Sequence, residues 1–134
     1  MKLNNCHNFE DFRKLAKKQL PSPIFHYIDG GSDDEVTLNR NTSSFDDYDL
    51  IPSVLNDVSN IDMSTTVLGQ KIDFPLFPAA TAMHRLYHHE GEKASAKATE
   101  KMGTIFGSST MSTVSIEEIA KVNKGPKLFQ LYIH

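Results

Sequence analysis

Three apolar segments with strand character recur in the second half of the chain, and their spacing constrains the fold more than any other feature. They begin at Leu76, Thr104 and Leu128, which are 28 and 24 residues apart. A helical pattern lies in each interval, at residues 90–102 and from the capping box 115–118 onward. Strands that alternate with helices in this way are typical of βα units, whose strands pair in parallel. The sequence therefore predicts an α/β fold, as either a doubly wound sheet or a barrel.

The carboxyl ends of these predicted strands carry small or polar residues. Thr81 and Ala82 end the first strand, Ser109 ends the second, and Gln130 and Tyr132 lie on the third. In a βα barrel the active site is assembled at that face from several strands. The glycine-rich loops that bind dinucleotides or nucleoside phosphates, G-x-G-x-x-G and G-x-x-x-x-G-K-[ST], are absent from the sequence. We therefore expect a site built from strand ends rather than from either loop.

Gln130 and Tyr132 are the most informative of these residues. They are two positions apart, so on a strand both side chains lie on the same face. An amide and a phenol on an otherwise apolar strand need hydrogen-bond partners when they are buried. A polar ligand is one source of such partners. Neighbouring strand ends or water are the other, and the residues alone leave both open.

The first part of the chain has a different pattern, helical and then irregular. Asn8 is a candidate N-cap for a helix that ends before Pro21. A second helix is predicted from Pro23 to the glycines at 30 and 31, which can adopt the left-handed conformation that ends helices, and a third follows the acidic residues at 33–35. Residues 65–68 and 71–74 flank a predicted hairpin turn at 69–70. We predict two parts, 1–74 and 75–134, the first covering a barrel formed by the second.

Composition excludes several functional classes. The chain has 134 residues and a net charge of −3 without a basic stretch, which argues against nucleic-acid binding. A single cysteine, Cys6, rules out an intramolecular disulfide framework and a cysteine-rich zinc site, and it suggests a reducing compartment. We find no secretory signal and no apolar run of about 18 residues that would span a bilayer.

Several motifs, in order and with matching spacing, resemble the FMN-dependent family that oxidises 2-hydroxy acids, which includes glycolate oxidase, flavocytochrome b2 and bacterial L-lactate dehydrogenase. The motifs are residues 25–31, 60–62, 67–69, 80–83, 88–92, 108–110, 115–118 and 129–132. The similarity runs from about residue 9 to residue 134, and residues 50–58 are most similar to the L-lactate dehydrogenase branch. The resemblance implies a partial (β/α)8 TIM barrel: an N-terminal helical segment and hairpin, then about three strands and two helices.

The resemblance implies that FMN is the cofactor and assigns residues to it. The backbone at Ala80, Thr81 and Ala82 would lie against the flavin ring near N5. Ser109 and Gln130 would hydrogen-bond the polar edge of the flavin and stabilise the negative charge that develops on reduction.

Two tyrosines are assigned to the substrate by the same resemblance. Tyr27 would bind the substrate carboxylate, and Tyr132 would bind near the reacting carbon as a catalytic residue. From the residues alone, Tyr27 is interpreted as a half-buried aromatic residue of the second helix. Two departures from the family bear on substrate size or electron acceptor: Ala80 replaces a common proline, and Met111 replaces the tryptophan of glycolate oxidases.

The implied reaction is oxidation of an L-2-hydroxy acid, most closely L-lactate to pyruvate, with transfer to flavin N5. The electron acceptor would be a quinone, a cytochrome or oxygen. Alternatives are an oxygen-using oxidase of glycolate or another 2-hydroxy acid, a different FMN barrel enzyme such as an isomerase or a dehydrogenase of nucleotides, and a non-catalytic partial barrel that binds or assembles with a partner.

The family's catalytic His and Asp, its substrate-binding Arg and its flavin-facing Lys would all lie on later strands. A complete barrel takes roughly 250 residues. We therefore expect this chain to be an N-terminal part of such an enzyme and to be inactive alone. By resemblance, the complete protein is expected to be a homo-oligomer.

Two further clusters have competing interpretations. His84, His88, Glu90 and Glu92 have spacing that on a helix could mimic a metal site, but they are interpreted as a loop leading into a helix, and no metal is predicted. A basic face on the first helix, at 14, 17 and 18, is interpreted as solvated, with anionic lipid as the alternative. The expected location is cytoplasmic, with peripheral contact at the inner face of a membrane as a variant of it.

Overall fold

The computed structural model describes residues 3–133, and the chain divides into two compact units at Asn56 and Asp57. The first unit contains only helices, and the second contains the hairpin and the βα elements. The predicted division into residues 1–74, which would cover the barrel, and residues 75–134, which would form it, stays a prediction.

Three helices form the first unit. They are α1 (Phe9–Gln19), α2 (Ser22–Asp29) and α3 (Val36–Ser43). Single 3-10 turns precede α1 at Leu3–Asn5 and follow α3 at Ser44–Asp47. The predicted cap of α1 is confirmed, because the Asn8 side chain accepts the Asp11 N–H at 2.9 Å.

The α2–α3 connection differs in detail from the prediction. Helix α2 ends at the predicted place, but Gly30 has φ of −86° and is not left-handed. The left-handed residues are Asp33 (φ 48°) and Glu35 (φ 56°), directly before α3. Gly31 is needed for space, since a Cβ there would lie 3.0 Å from Leu38 Cβ. The prediction was wrong because it inferred backbone conformation from glycine alone, whereas close packing also selects glycine.

The hairpin of the second unit is confirmed with its turn shifted by one residue. Strands β1 (Thr65–Val67) and β2 (Gln70–Ile72) are antiparallel, with Val67 opposite Gln70. The turn residues are Leu68 (φ 51°) and Gly69 (φ 77°) rather than Gly69 and Gln70. Positive φ at both central residues is the twist that suits a two-residue hairpin.

The βα part of this unit has helices and strands in alternation. They are α4 (Glu92–Lys101), β3 (Phe106–Ser109), α5 (Ile116–Val122) and β4 (Lys127–Gln130). Strands β3 and β4 are parallel, with Phe106 opposite Lys127 and Ser109 opposite Gln130. Ala96 of α4, Phe106 of β3, and Val114 and Ile119 beside and within α5 form the core. The predicted parallel pairing of these two strands is confirmed.

The predicted first strand, residues 76–82, does not form a strand. Pro75 and Pro78 have no N–H to donate to a ladder. The segment instead contacts the β3 side through separate interactions: Thr104 Oγ1 donates to the Leu76 carbonyl at 2.8 Å, and Ala80 packs against Gly107. The apolar pattern predicted burial against the sheet, but the prolines prevent the regular hydrogen bonding.

Ala94, Ala98 and Met102 recur at helical spacing, but they do not form the buried face of α4. Ala98 and Met102 are exposed, and the buried residues are Glu92, Ala96 and Thr99. The reason lies 20 or more residues away. Buried Asn123, just after α5, donates its amide to the Ala96 carbonyl (2.7 Å) and to Thr99 Oγ1 (3.1 Å) and so selects this face.

Half of the predicted capping box at α5 is present. Ser115 Oγ accepts the Glu118 N–H at 3.3 Å, but the Glu118 carboxylate pairs with Lys93 of α4 at 2.8 Å. The side chain that would have completed the box thus joins two helices instead. Over residues 3–133, no helix has both the length and the apolar character that crossing a membrane requires.

Candidate functional site

Two of the predicted cofactor residues meet at the carboxyl end of the parallel strands. Ser109 ends β3 and Gln130 ends β4, directly opposite one another. Ser109 Oγ donates to Gln130 Oε1 at 3.2 Å and accepts the Met111 N–H at 3.1 Å. Ser109 is buried and Gln130 is half-buried. Register and side-chain contact therefore fix both groups in one place.

The arrangement also fixes the orientation of the Gln130 amide. The Ser109 hydroxyl accepts from the Met111 N–H and donates its own hydrogen to the amide oxygen of Gln130. Within residues 3–133 the amide nitrogen of Gln130 makes no hydrogen bond. A half-buried N–H donor is thus available at the strand ends.

The loop after β3 is hydrogen-bonded to the end of β4. The Thr110 hydroxyl donates to the Gln130 carbonyl at 2.6 Å and accepts the Tyr132 N–H at 3.1 Å. Strand β4 ends at Gln130, so Tyr132 lies just beyond it, with half of its surface exposed. The predicted alternation along one strand therefore stops before Tyr132, because its N–H bonds the Thr110 side chain rather than a backbone ladder.

The segment 80–83 approaches the same end of the sheet. A Cβ on Gly107 of β3 would lie 3.0 Å from the Ala80 nitrogen, so the two backbones are nearly in contact. The Met83 N–H donates to the Met111 carbonyl at 3.0 Å. Thr81 is exposed and Ala82 is half-buried. Ala80, Thr81 and Ala82 are thereby linked to the loop that holds Ser109.

A residue without a predicted role, Glu92, is completely buried at the start of α4. Its carboxylate accepts the Thr113 N–H (2.8 Å), the Thr113 hydroxyl (2.7 Å) and the His84 N–H (3.2 Å). Burial alone would raise the pKa of Glu92, but hydrogen bonds, chiefly from Thr113, outweigh it and lower the pKa below its ordinary value. No local sequence pattern predicts this role, since a glutamate in a first helical turn is ordinarily solvated.

Tyr27 and His84 were also singled out from the sequence. Tyr27 is on α2 in the first unit, and 56% of its surface is exposed. The His84 ring contacts Ser95 Oγ at 3.3 Å. Across the part of the chain that the structure describes, no three His, Cys, Asp or Glu side chains are grouped so as to hold a metal ion.

A comparison with known protein families identifies the family of this chain. The profile of the FMN-dependent dehydrogenase family matches residues 16–134. The chain belongs to the FMN-dependent dehydrogenase family.

Curated relatives in this family include oxidases and dehydrogenases. Glycolate oxidase 3 from Arabidopsis thaliana is 42% identical over 127 residues, which is 95% of this chain and 34% of the relative. L-lactate dehydrogenase from Vibrio parahaemolyticus is 43% identical over 123 residues, 92% of this chain and 32% of the relative. The chain thus spans about a third of the length of these relatives.

Solved structures give the same picture. The membrane-associated (S)-mandelate dehydrogenase from Pseudomonas putida, as a soluble mutant, aligns with a TM-score of 0.87 at 37% identity, over 96% of this chain and 37% of that one. A flavocytochrome b2 variant aligns with a TM-score of 0.88 at 33% identity, over 98% of this chain and 35% of that one. The predicted family and the predicted partial TIM barrel are confirmed, and the family is FMN-dependent.

The residues present fit a flavin. The Gln130 N–H without a partner in the described chain is the kind of donor that a flavin carbonyl or ring nitrogen accepts. The backbone of Ala80 lies close to that of Gly107, and neither residue has a side chain larger than a methyl group. Both features agree with the roles that the sequence resemblance implies for Ala80 and Gln130, which stay predictions.

Proposed function

We propose that this chain supplies the N-terminal third of an FMN-dependent enzyme that oxidises L-lactate to pyruvate. The observation that carries the proposal is the Ser109–Gln130 pair, which presents an oriented amide donor at the ends of two parallel strands. Support for L-lactate comes from the 43% identity to an L-lactate dehydrogenase and from residues 50–58.

In this proposal the chain's own residues hold and tune the cofactor. FMN, when bound, accepts the two electrons of the substrate. The hydroxyl of Ser109 keeps the Gln130 oxygen occupied, so the amide N–H would be free to bind the polar edge of FMN and would favour negative charge there. Ala80, Thr81 and Ala82 allow the backbone to approach the ring because their side chains are small.

The substrate is held by the two tyrosines in the same proposal. Tyr27 donates its phenol to the substrate carboxylate, and Tyr132 donates to the oxygen on the reacting carbon. Both tyrosines are at least half exposed. Met111, on the loop that Ser109 holds, shapes the space for a small side chain of the substrate.

The acceptor, location and assembly follow from the dehydrogenase assignment. We propose a quinone or cytochrome as the electron acceptor, a cytoplasmic enzyme with peripheral contact at the inner face of a membrane, and a homo-oligomer of the complete protein. The second candidate is an oxidase that passes electrons to oxygen, and the 42% identity to glycolate oxidase 3 favours it.

The test is a pair of chimeras. Residues 1–134 are fused to the remaining two thirds of the V. parahaemolyticus L-lactate dehydrogenase and, separately, of glycolate oxidase 3. We expect both proteins to retain FMN after gel filtration and L-lactate to bleach the flavin under anaerobic conditions in both. A preference for glycolate in both would favour the oxidase. Folded chimeras without FMN would overturn the proposal.

The role of Gln130 is tested in the same chimeras. We expect Gln130→Leu to weaken FMN binding by on the order of tenfold, the effect of losing one hydrogen bond to a group that becomes charged. Gln19→Leu, on the exposed side of α1, is the control and should leave FMN affinity unchanged. Equal affinity in the two variants would remove Gln130 from the cofactor site.

A further inference from the structure

The proposed function gives no role to the buried carboxylate of Glu92, although burying a charged group is energetically unfavourable. Only 1% of the residue is exposed, and over residues 3–133 it makes no ion pair. Its hydrogen-bond partners are neutral groups of Thr113 and His84. A buried charge without a cation is costly to desolvate, so its donors must compensate. A neutral side chain would fill the same space without that cost.

The donors to Glu92 come from two different segments. His84 belongs to the stretch that follows Ala80, Thr81 and Ala82, and Thr113 belongs to the loop that follows Ser109. One carboxylate oxygen, Oε1, accepts from both segments, at 3.2 Å and 2.8 Å. Glu92 is therefore a bridge between two segments rather than a cap of one helix.

Two neighbouring hydrogen bonds have the same effect. The Arg85 N–H donates to Thr113 Oγ1 at 3.3 Å, and the Met83 N–H donates to the Met111 carbonyl at 3.0 Å. Met111 in turn donates its N–H to the Ser109 hydroxyl. The chain of contacts thus runs from Glu92 to the hydroxyl that orients Gln130.

We propose that Glu92 is a positioning residue of the cofactor site, which sets the spacing between the backbone at 80–82 and the Ser109–Gln130 pair. The inference rests on the proposed function, since it concerns the same site. An ionised carboxylate suits this role because both oxygens only accept, so all the N–H and O–H donors can be satisfied at once. An amide oxygen could still accept both N–H groups, but its NH2 group would face the Thr113 hydroxyl, whose own hydrogen would lose its acceptor.

Backbone amide exchange in the 134-residue chain is the first test. We expect Glu92→Gln to accelerate exchange at His84 and Thr113, and at the linked amides of Met83 and Met111, by on the order of tenfold. The matched control is Glu90→Gln, which removes a half-buried carboxylate that pairs with Lys97 at 2.9 Å. Unchanged exchange at Met83 and Met111 in Glu92→Gln would overturn the proposal.

The second test measures the cofactor in the chimeras and does not depend on turnover. Thr113→Val loses the hydroxyl that donates to Glu92, whereas Thr113→Ser keeps it. We expect Glu92→Gln and Thr113→Val to raise the Kd for FMN by about tenfold and to shift the flavin absorption bands, and Thr113→Ser and Glu90→Gln to behave like the parent.

The outcomes separate the two proposals. If the chimera without substitutions binds no FMN, the proposed function is overturned, and so is the role of Glu92 that rests on it. If the parent binds FMN and Thr113→Val binds it equally well with an unchanged spectrum, only the role of Glu92 is overturned. If Glu92→Gln does not fold, Thr113→Val, which retains the carboxylate, still decides.

Discussion

At the scale of single residues, the Arg13–Asp29 pair shows how geometry sets ionisation. The guanidinium donates from Nε to Asp29 Oδ1 at 2.5 Å and from an Nη to Oδ2 at 2.8 Å. These hydrogen bonds are the main cause of the lowered pKa of Asp29, and burial opposes them. The pair joins α1 to α2, the helix that carries Tyr27.

Replacing Arg13 by alanine is expected to raise the pKa of Asp29 toward its ordinary value. A carboxyl whose pKa is lowered by folding stabilises the native state above its unfolded pKa, and this contribution is lost as pH falls through the folded pKa. Asp29→Asn should therefore destabilise the chain at pH 7 and cease to do so at strongly acidic pH. Carboxyl NMR titration measures the shift.

The control for this titration is Asp62. Its pKa is lowered by the backbone N–H of Ser64, not by an ion pair, so Arg13→Ala should leave it unchanged. If Asp29 titrates at the same pH with and without Arg13, the bidentate pair does not govern its ionisation.

Ser109→Ala is expected to destabilise the chain by about 1–3 kcal/mol, because the Met111 N–H and Gln130 Oε1 both lose a part-buried hydrogen bond. Urea unfolding followed by circular dichroism measures the change. Ser53→Ala, at an exposed position, should stay within about 0.5 kcal/mol of the parent. A similar midpoint for the two variants would mean that the Ser109 contacts contribute nothing net.

At the scale of elements, features that depend on neighbouring residues could be predicted from the sequence, whereas features that depend on distant contacts could not. The caps Asn8 and Ser115 were found from sequence because donor and acceptor are three residues apart. The buried face of α4 depends on Asn123 and Thr113, more than 20 residues away. No helical pattern within α4 contains that information.

The candidate site likewise has residues that could be predicted from the sequence and one that could not. The resemblance named Ser109 and Gln130, and the strand register brings them together. Glu92 was missed because a charged residue is buried only when donors from other segments surround it. The prediction of a strand at 76–82 was wrong for a reason visible in the sequence, namely the prolines at 75 and 78. The prediction gave more weight to the apolar pattern than to these prolines.

The hairpin turn offers a stabilising change. Leu68 has φ of 51°, a region that costs a residue with a Cβ about 1–2 kcal/mol unless it is Asn or Gly. We expect Leu68→Asn to raise the stability of the hairpin unit by up to about 1 kcal/mol, measured by thermal unfolding. Leu68→Ala keeps the strain and serves as the comparison; no gain of Asn over Ala would contradict the prediction.

At the scale of the whole molecule, the chain contains one part of a larger architecture. Residues 3–133 include two parallel strands, β3 and β4, whereas a closed barrel has eight. The family could be predicted from sequence because its motifs occur in order over most of the chain. The substrate could not, because relatives of nearly equal identity are named for glycolate and for L-lactate.

The 134-residue chain alone is expected to show no turnover of L-lactate with added FMN and an artificial electron acceptor. The strand ends that it provides form one edge of the proposed site, and the chain spans about a third of its relatives. The chimera with the L-lactate dehydrogenase is the positive control. Turnover by the isolated chain above a no-protein blank would contradict this expectation.

The outer edge of β4 has a consequence for handling the protein. Within residues 3–133, β4 pairs only with β3, so the N–H and C=O groups on its other side have no strand beside them, and Phe129 is half exposed. Such an edge is a template for another copy of the chain. Solubility will therefore be limited by strand addition between molecules, and turbidity will grow faster than concentration.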